Sequence, residues 1–118
     1  MARVLVDGEN VRRSAWPNVS REELVELMRR WAKAGGHAAL VVFDGQAPED
    51  AEDVVGSGGE SADDWLIRET ARLHDAGSPF WLVTSDRALR AAAGAGADRT
   101  IGGGAFLREL ESPRRRRS

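Results

Sequence analysis

The chain contains no cysteine. Disulfides, thiolate metal sites and a cysteine nucleophile are thereby excluded, and a reducing, cytoplasmic setting is the expectation. Lysine is nearly absent: Lys33 stands alone against 16 arginines, a bias attributable to genome composition, and chemistry that needs a lysine has one candidate. Long apolar runs are missing as well. None is long enough to span a bilayer, and the N-terminus lacks the apolar segment of a secretory signal, so no membrane partner is expected. What remains is a chain of 118 residues, the size of one domain with one core. Its formal charge of −2 hides an asymmetry, because Arg114 to Arg117 contribute +4 and residues 1–113 therefore carry −6. An acidic body with a basic tail separates where anions are repelled from where they are attracted.

Apolar runs and helical periodicities alternate along the chain. "RVLVD", 3–7, reads as a buried strand, and Val11 to Val19 as a loop broken by Trp16-Pro17-Asn18. Ser20 and Glu23 form a capping box that opens a helix through Leu24, Leu27, Met28 and Trp31, stopped at Gly35-Gly36. "AALVVFD", 38–44, is a second strand. A polar, glycine-rich connection follows, with a short edge strand at Asp53–Val55. Ser61 to Asp64 cap the next helix, and Gly77 closes it. "PFWLVT", 79–84, is a third strand; a short helix over Ser85–Ala93, a weak strand at 97–101 and a last helix in "AFLREL" complete the order. Continuous apolar strands alternating with helices predict an α/β fold whose parallel sheet is covered on both faces. Trp31, Trp65 and Trp81 are expected in the core. Trp16 admits two readings, a residue that stacks on a nucleobase or a core plug, and the second is the expectation. His37 and His74 lie near helix ends and receive no catalytic role.

Three strands share one feature: "VLVD" ends at Asp7, "VVFD" at Asp44, and "WLVTSD" carries Asp86 just beyond its end. In a parallel sheet these ends lie on one edge, where open α/β sheets bind ligands and where the following helices begin. The helix opened by Ser61 brings Asp63 and Asp64 to that edge. Taken singly, Asp7-Gly8 and Asp44-Gly45 read as turns, Asp86 as a helix-terminal carboxylate and Asp64 as part of a capping box. Taken together, the bare carboxylates would repel one another and raise their own pKa values. A divalent cation relieves that repulsion, and ligation by oxygen alone suits Mg²⁺ or Mn²⁺ rather than Zn²⁺. Such a site fits hydrolysis of a phosphodiester. Two other phosphate chemistries fit less well. "GSGGES" lacks the lysine-containing ending of a P-loop. A haloacid-dehalogenase-like phosphatase would want D-x-D where Asp7-Gly8-Glu9 stands, and a lysine near the third strand.

The strings "LVDGENV", "VVFDG", "GSGGESADD", "LVTSDRALR" and "GGGAFLREL" resemble, in order and at compatible spacing, the YacP-like group of NYN domains within the PIN-like nuclease superfamily. The resemblance covers residues 3 to 111. It implies a three-layer α/β/α fold with a central, mostly parallel sheet in a single domain over 1–111; the arginine run beyond it reads as a basic, disordered tail over 112–118. The resemblance implies a metal-dependent endoribonuclease with an acidic Mg²⁺ or Mn²⁺ site and RNA as partner. By position, Asp7, Asp63 and Asp86 match the acidic catalytic and metal-holding set. Asn10 matches the asparagine that shapes the site, and Asp44 and Asp64 lie at its edge as further metal ligands. Ser85 is expected to orient Asp86, to cap its helix or to touch substrate, and Arg12, Arg13, Arg87 and Arg90 to contact RNA phosphates, which dominate affinity. Arg114 to Arg117 would add to that attraction. Glu9 departs from the pattern, since many members carry an aromatic residue there, and a more acidic mouth is expected. A non-catalytic RNA- or protein-binding domain and the toxin of a toxin–antitoxin pair stay open, as do a homodimer and a ribosome or antitoxin partner.

Overall fold

In the computed structural model, residues 2–112 are described; Pro113 to Ser118, and with them the basic tail, lie outside them. Ten elements follow one another. They are β1 (Arg3–Asp7), α1 (Gly8–Arg12), α2 (Arg21–Gly35), β2 (Ala38–Phe43), β3 (Val54–Gly56), α3 (Ala62–Asp75), β4 (Phe80–Val83), α4 (Arg87–Ala93), β5 (Arg99–Ile101) and α5 (Gly103–Glu111). The five strands form one sheet in the order β3-β2-β1-β4-β5, with every pair parallel. The expected α/β/α architecture is therefore present.

Strand alternation divides the apolar residues between two faces. Val4, Val6, Val41, Phe43 and Val83 pack with Val11, Leu24, Met28, Trp31, Phe106 and Leu110 from α1, α2 and α5. Leu5, Leu40, Val42, Phe80 and Leu82 pack on the opposite side with Leu66 and Leu73 of α3 and Leu89 of α4. Val4, Leu5, Val6 and Leu82 are fully buried, as strands covered on both faces require. The capping residues act as the sequence predicts. Ser20 Oγ accepts from the Glu23 N–H and Ser61 Oγ from the Asp64 N–H, each at 3.0 Å, and Gly36 ends α2 in the left-handed region at φ 67°.

Three expectations are corrected. Residues 8–12 are helical, so the loop after the first strand begins only at Arg13. Asp7-Gly8 is consequently a strand-to-helix junction rather than a turn. Gly8 is needed there for space: a Cβ on it would lie 2.6 Å from Phe43 Cε1 and 2.9 Å from the Val42 carbonyl oxygen. Asp44-Gly45, by contrast, is a true turn, with Gly45 at φ 73°. Trp16 does not plug the core; it is 90% exposed, the one exposed large hydrophobic side chain among the described residues. Trp31 is buried as expected, stacked on His37 with ring centroids 4.1 Å apart. Trp65 and Trp81 are partly buried against the two cores. Among the described residues no helix is long and apolar enough to cross a membrane.

Candidate active site

The chain runs outward from β1 to β2 and β3, then returns to the other side of β1 with β4. The C-terminal ends of β1 and β4 therefore border the crevice at which the strand order reverses. A cleft of about 540 Å³ opens there, lined by Asp7, Glu9, Asn10, Arg13, Ser14, Asp44, Asp63, Ser85, Asp86 and Gly104. Four of the five predicted metal ligands thus share one cleft. Asp64 does not join them: it is exposed on the first turn of α3, where its amide serves the Ser61 cap.

Asp7 is the deepest of the carboxylates, 5% exposed. Burial raises its pKa to about 6, with Asp63 and Asp44 adding to the rise, while the hydroxyl of Thr84 opposes it by donating to Oδ2 at 2.9 Å. Asp63 is also raised, first by burial and then by the charges of Asp86, Asp44 and Asp64. Asp44 and Asp86 each commit one oxygen to a helix start. Asp44 Oδ1 accepts from the Ala62 N–H at 2.7 Å, and Asp86 Oδ1 accepts from the Leu89 N–H at 2.9 Å as the N-cap of α4. Asp86 thus both caps α4 and lines the cleft.

Asn10 and Ser85 hold the cleft together. Asn10 Oδ1 accepts from the Ser85 N–H at 2.8 Å, and Ser85 Oγ accepts from the Gly103 N–H at 2.7 Å. Ser85 therefore ties α1 and α5 to the end of β4, and the capping expected of it falls to Asp86. Sequence reasoning missed Thr84, which is fully buried. Its place in "VTSD", one residue after the apolar run, was the available signal.

The arginines divide. Arg13 lines the cleft, and its side chain is 63% exposed. Arg12 turns to Glu9 and to the Val19 carbonyl. The guanidinium of Arg90 donates to the Thr84 carbonyl at 2.7 Å, a tie within the scaffold. Arg87 is exposed on α4 and is not among the cleft-lining residues. Glu9, buried at the mouth, meets Arg12 and Arg13 at 3.2 Å each and Arg21 at 3.0 Å. The more acidic mouth expected from Glu9 is corrected in part: its carboxylate is matched by three guanidiniums, of which Arg13 alone lines the cleft.

A family model for the YacP-like NYN domain matches residues 4–117. The chain belongs to the YacP-like NYN domain family. Among solved structures, the NYN fold is similar to the crystal structure of Rae1 (YacP) from Bacillus subtilis carrying W164L. The match has a TM-score of 0.78 and 28% identity, and covers 98% of this chain and 79% of that one. It is similar also to Rae1 (YacP) from Bacillus subtilis without that substitution, with a TM-score of 0.75, 25% identity, and 98% and 77% of the two chains covered. No curated protein matches the chain. Membership makes this NYN domain nuclease-like.

The donors facing the cleft are carboxylate, amide and hydroxyl oxygens, a set that suits a hard divalent cation. Among the described residues no three His, Asp or Glu side chains gather closely enough to ligate one ion directly. The fit is therefore to an ion that keeps several waters and takes only one or two carboxylates, the habit of Mg²⁺. The raised pKa of Asp7 is the second mark of fit, since a nearby cation would favour the ionised form that burial penalises.

Proposed function

We propose that the chain is a metal-dependent endoribonuclease that hydrolyses RNA phosphodiester bonds in this cleft. The observation that carries the reading is a desolvated Asp7 at the strand-order reversal, sharing one open cleft with Asp44, Asp63 and Asp86. Asp7, with one of Asp63, Asp86 and Asp44, would hold Mg²⁺ or Mn²⁺ directly, and the other carboxylates would reach the ion through water. When bound, the ion supplies charge neutralisation and polarisation of the phosphoryl oxygens.

The remaining work belongs to the chain. Thr84 fixes the direction of Asp7 by its hydrogen bond. Asp63, whose pKa burial and the neighbouring carboxylates raise, would accept a proton from the attacking water as the bond to the leaving ribose oxygen breaks. Arg13, at the rim of the same cleft, draws in the phosphate backbone. Asn10 and Ser85 keep the walls at fixed separation.

Incubation of the full chain with single-stranded RNA and Mn²⁺, beside Asp7→Asn, tests the reading. The wild type should cleave, and the variant should lose several kcal/mol of transition-state stabilisation, at least about 100-fold in rate, while still binding RNA. Equal cleavage by both, or binding without cleavage by the wild type, would overturn it.

A further inference from the structure

Trp16 exposes nearly all of its surface, an unusual state for an indole. The segment that carries it is pinned at both ends. The Val19 N–H donates to the Arg12 carbonyl at 3.0 Å, and the Arg12 guanidinium reaches the Val19 carbonyl at 3.4 Å. Ser14 donates through its hydroxyl to the Val11 carbonyl at 2.6 Å and through its N–H to the same oxygen at 3.2 Å. Arg13 and Ser14 line the acidic cleft, and Trp16 follows two residues later. Glu9 meanwhile gathers Arg12, Arg13 and Arg21, a group with formal charge +2. Arg13 is thus the guanidinium of this group that lines an otherwise acidic cleft, and the exposed indole follows it by three residues.

We propose that the Arg13–Val19 segment is the landing surface for single-stranded nucleic acid, with Trp16 stacking on a base and Arg13 holding an adjoining phosphate. Stacking on an aromatic side chain beside a positive groove is how single strands are held without sequence readout, since every base has a π-face. A duplex keeps its bases stacked on one another and offers Trp16 only its ends. The inference rests on the ribonuclease reading for the identity of the strand, and it adds a preference for unpaired substrate.

The test is binding of a fluorescein-labelled single-stranded oligoribonucleotide by the full chain in EDTA, followed by anisotropy. Wild type, Trp16→Ala, Trp16→Phe and Arg13→Gln are compared, with inorganic polyphosphate as a backbone-only competitor. Trp16→Ala should bind the single strand about tenfold more weakly, and Trp16→Phe within about threefold of wild type. Polyphosphate should compete equally against wild type and Trp16→Ala, and less well against Arg13→Gln. Wild type and Trp16→Ala binding the RNA equally would overturn this inference alone. A Trp16→Ala variant that shifts from dimer to monomer in sedimentation without loss of RNA affinity would overturn it in favour of a second copy covering the indole. A wild type that neither binds nor cleaves RNA would overturn the ribonuclease reading as well.

Discussion

Thr84 donates its hydroxyl to Asp7 Oδ2 at 2.9 Å and accepts the Asp86 N–H at 3.2 Å. One buried hydroxyl thus sets the direction of one cleft carboxylate and the backbone of another, across the junction of β1 and β4. Its proton is committed to Asp7 and one of its two lone pairs to the Asp86 N–H. Asp7 consequently accepts in a fixed direction at the floor of the cleft it lines.

The price of that placement shows in the pH dependence of stability. Asp7 titrates near 6 in the folded chain against 3.8 for the free side chain, a difference worth about 3 kcal/mol. Because the folded value is raised, the favourable contribution is complete below pH 3.8. It declines as pH rises through about 6 and is absent above that. Asp7→Asn carries no charge to bury and still offers Thr84 an acceptor. In EDTA at pH 8 it should unfold on the order of 5–10 °C above wild type, the gap closing as the pH falls towards 4. Added Mn²⁺ should raise the wild-type midpoint at pH 8 and leave Asp7→Asn nearly unmoved. Calorimetric scans across pH, with and without the ion, measure both effects.

Gly8 and Gly104 are both helical glycines with opposite surroundings. A methyl group at Gly8 would press on the buried Phe43 ring and the Val42 carbonyl, neither of which can give way. At Gly104 it would find Arg108 Nη1 at 3.6 Å and Ser14 Cβ at 3.9 Å, ordinary contact distances. Gly8→Ala should cost about 1–3 kcal/mol despite the better helix propensity of alanine. Gly104→Ala should be neutral or slightly stabilising. Urea midpoints of the two variants should therefore move apart, and equal midpoints would refute the packing account of α1.

Glu9 and its arginines invite a change with opposite signs in two measurements. Glu9→Gln leaves Arg12, Arg13 and Arg21 around a neutral side chain at a site only 9% exposed. Their own exposure softens the loss, so about 1–2 kcal/mol of stability is the expected cost. The same change removes one negative charge from the cleft wall. RNA affinity at low salt should rise, and its dependence on salt should steepen. Denaturation and salt-titrated binding of one variant test both halves.

The sequence carries the three central strands plainly, because β1, β2 and β4 are short apolar runs with a polar stop, and the long helices α2 and α3 have their caps. The alignment of Asp7, Asp44, Asp63 and Asp86 on one edge follows from those elements and the parallel sheet alone. Helix α1 is not visible in the same way: five residues give no periodicity, and its start carries no side-chain cap. The roles of Asn10, Ser85 and Thr84 depend on partners about 75 residues distant, a separation no local pattern encodes. Trp16 misled for a related reason. Tryptophan is usually an interior residue, and only the pinned ends of its segment show that this one has nowhere inward to go. Glu9 is likewise unreadable until Arg21, twelve residues on, is seen to reach it.

The strand order has a consequence for how the cleft comes into being. Asp7 and Asp44 precede the connection over residues 45–59, while Asp63 and Asp86 follow it. The two groups meet through the pairing of β1 with β4, Arg3 opposite Phe80 through Val6 opposite Val83, and through α3, whose Ala62 N–H donates to Asp44. The acidic pocket is therefore a seam between two halves of the chain, and neither half owns it. A nascent chain has no pocket until β4 has emerged and docked, and a cut within 45–59 would leave two pieces that must find each other before either could hold an ion.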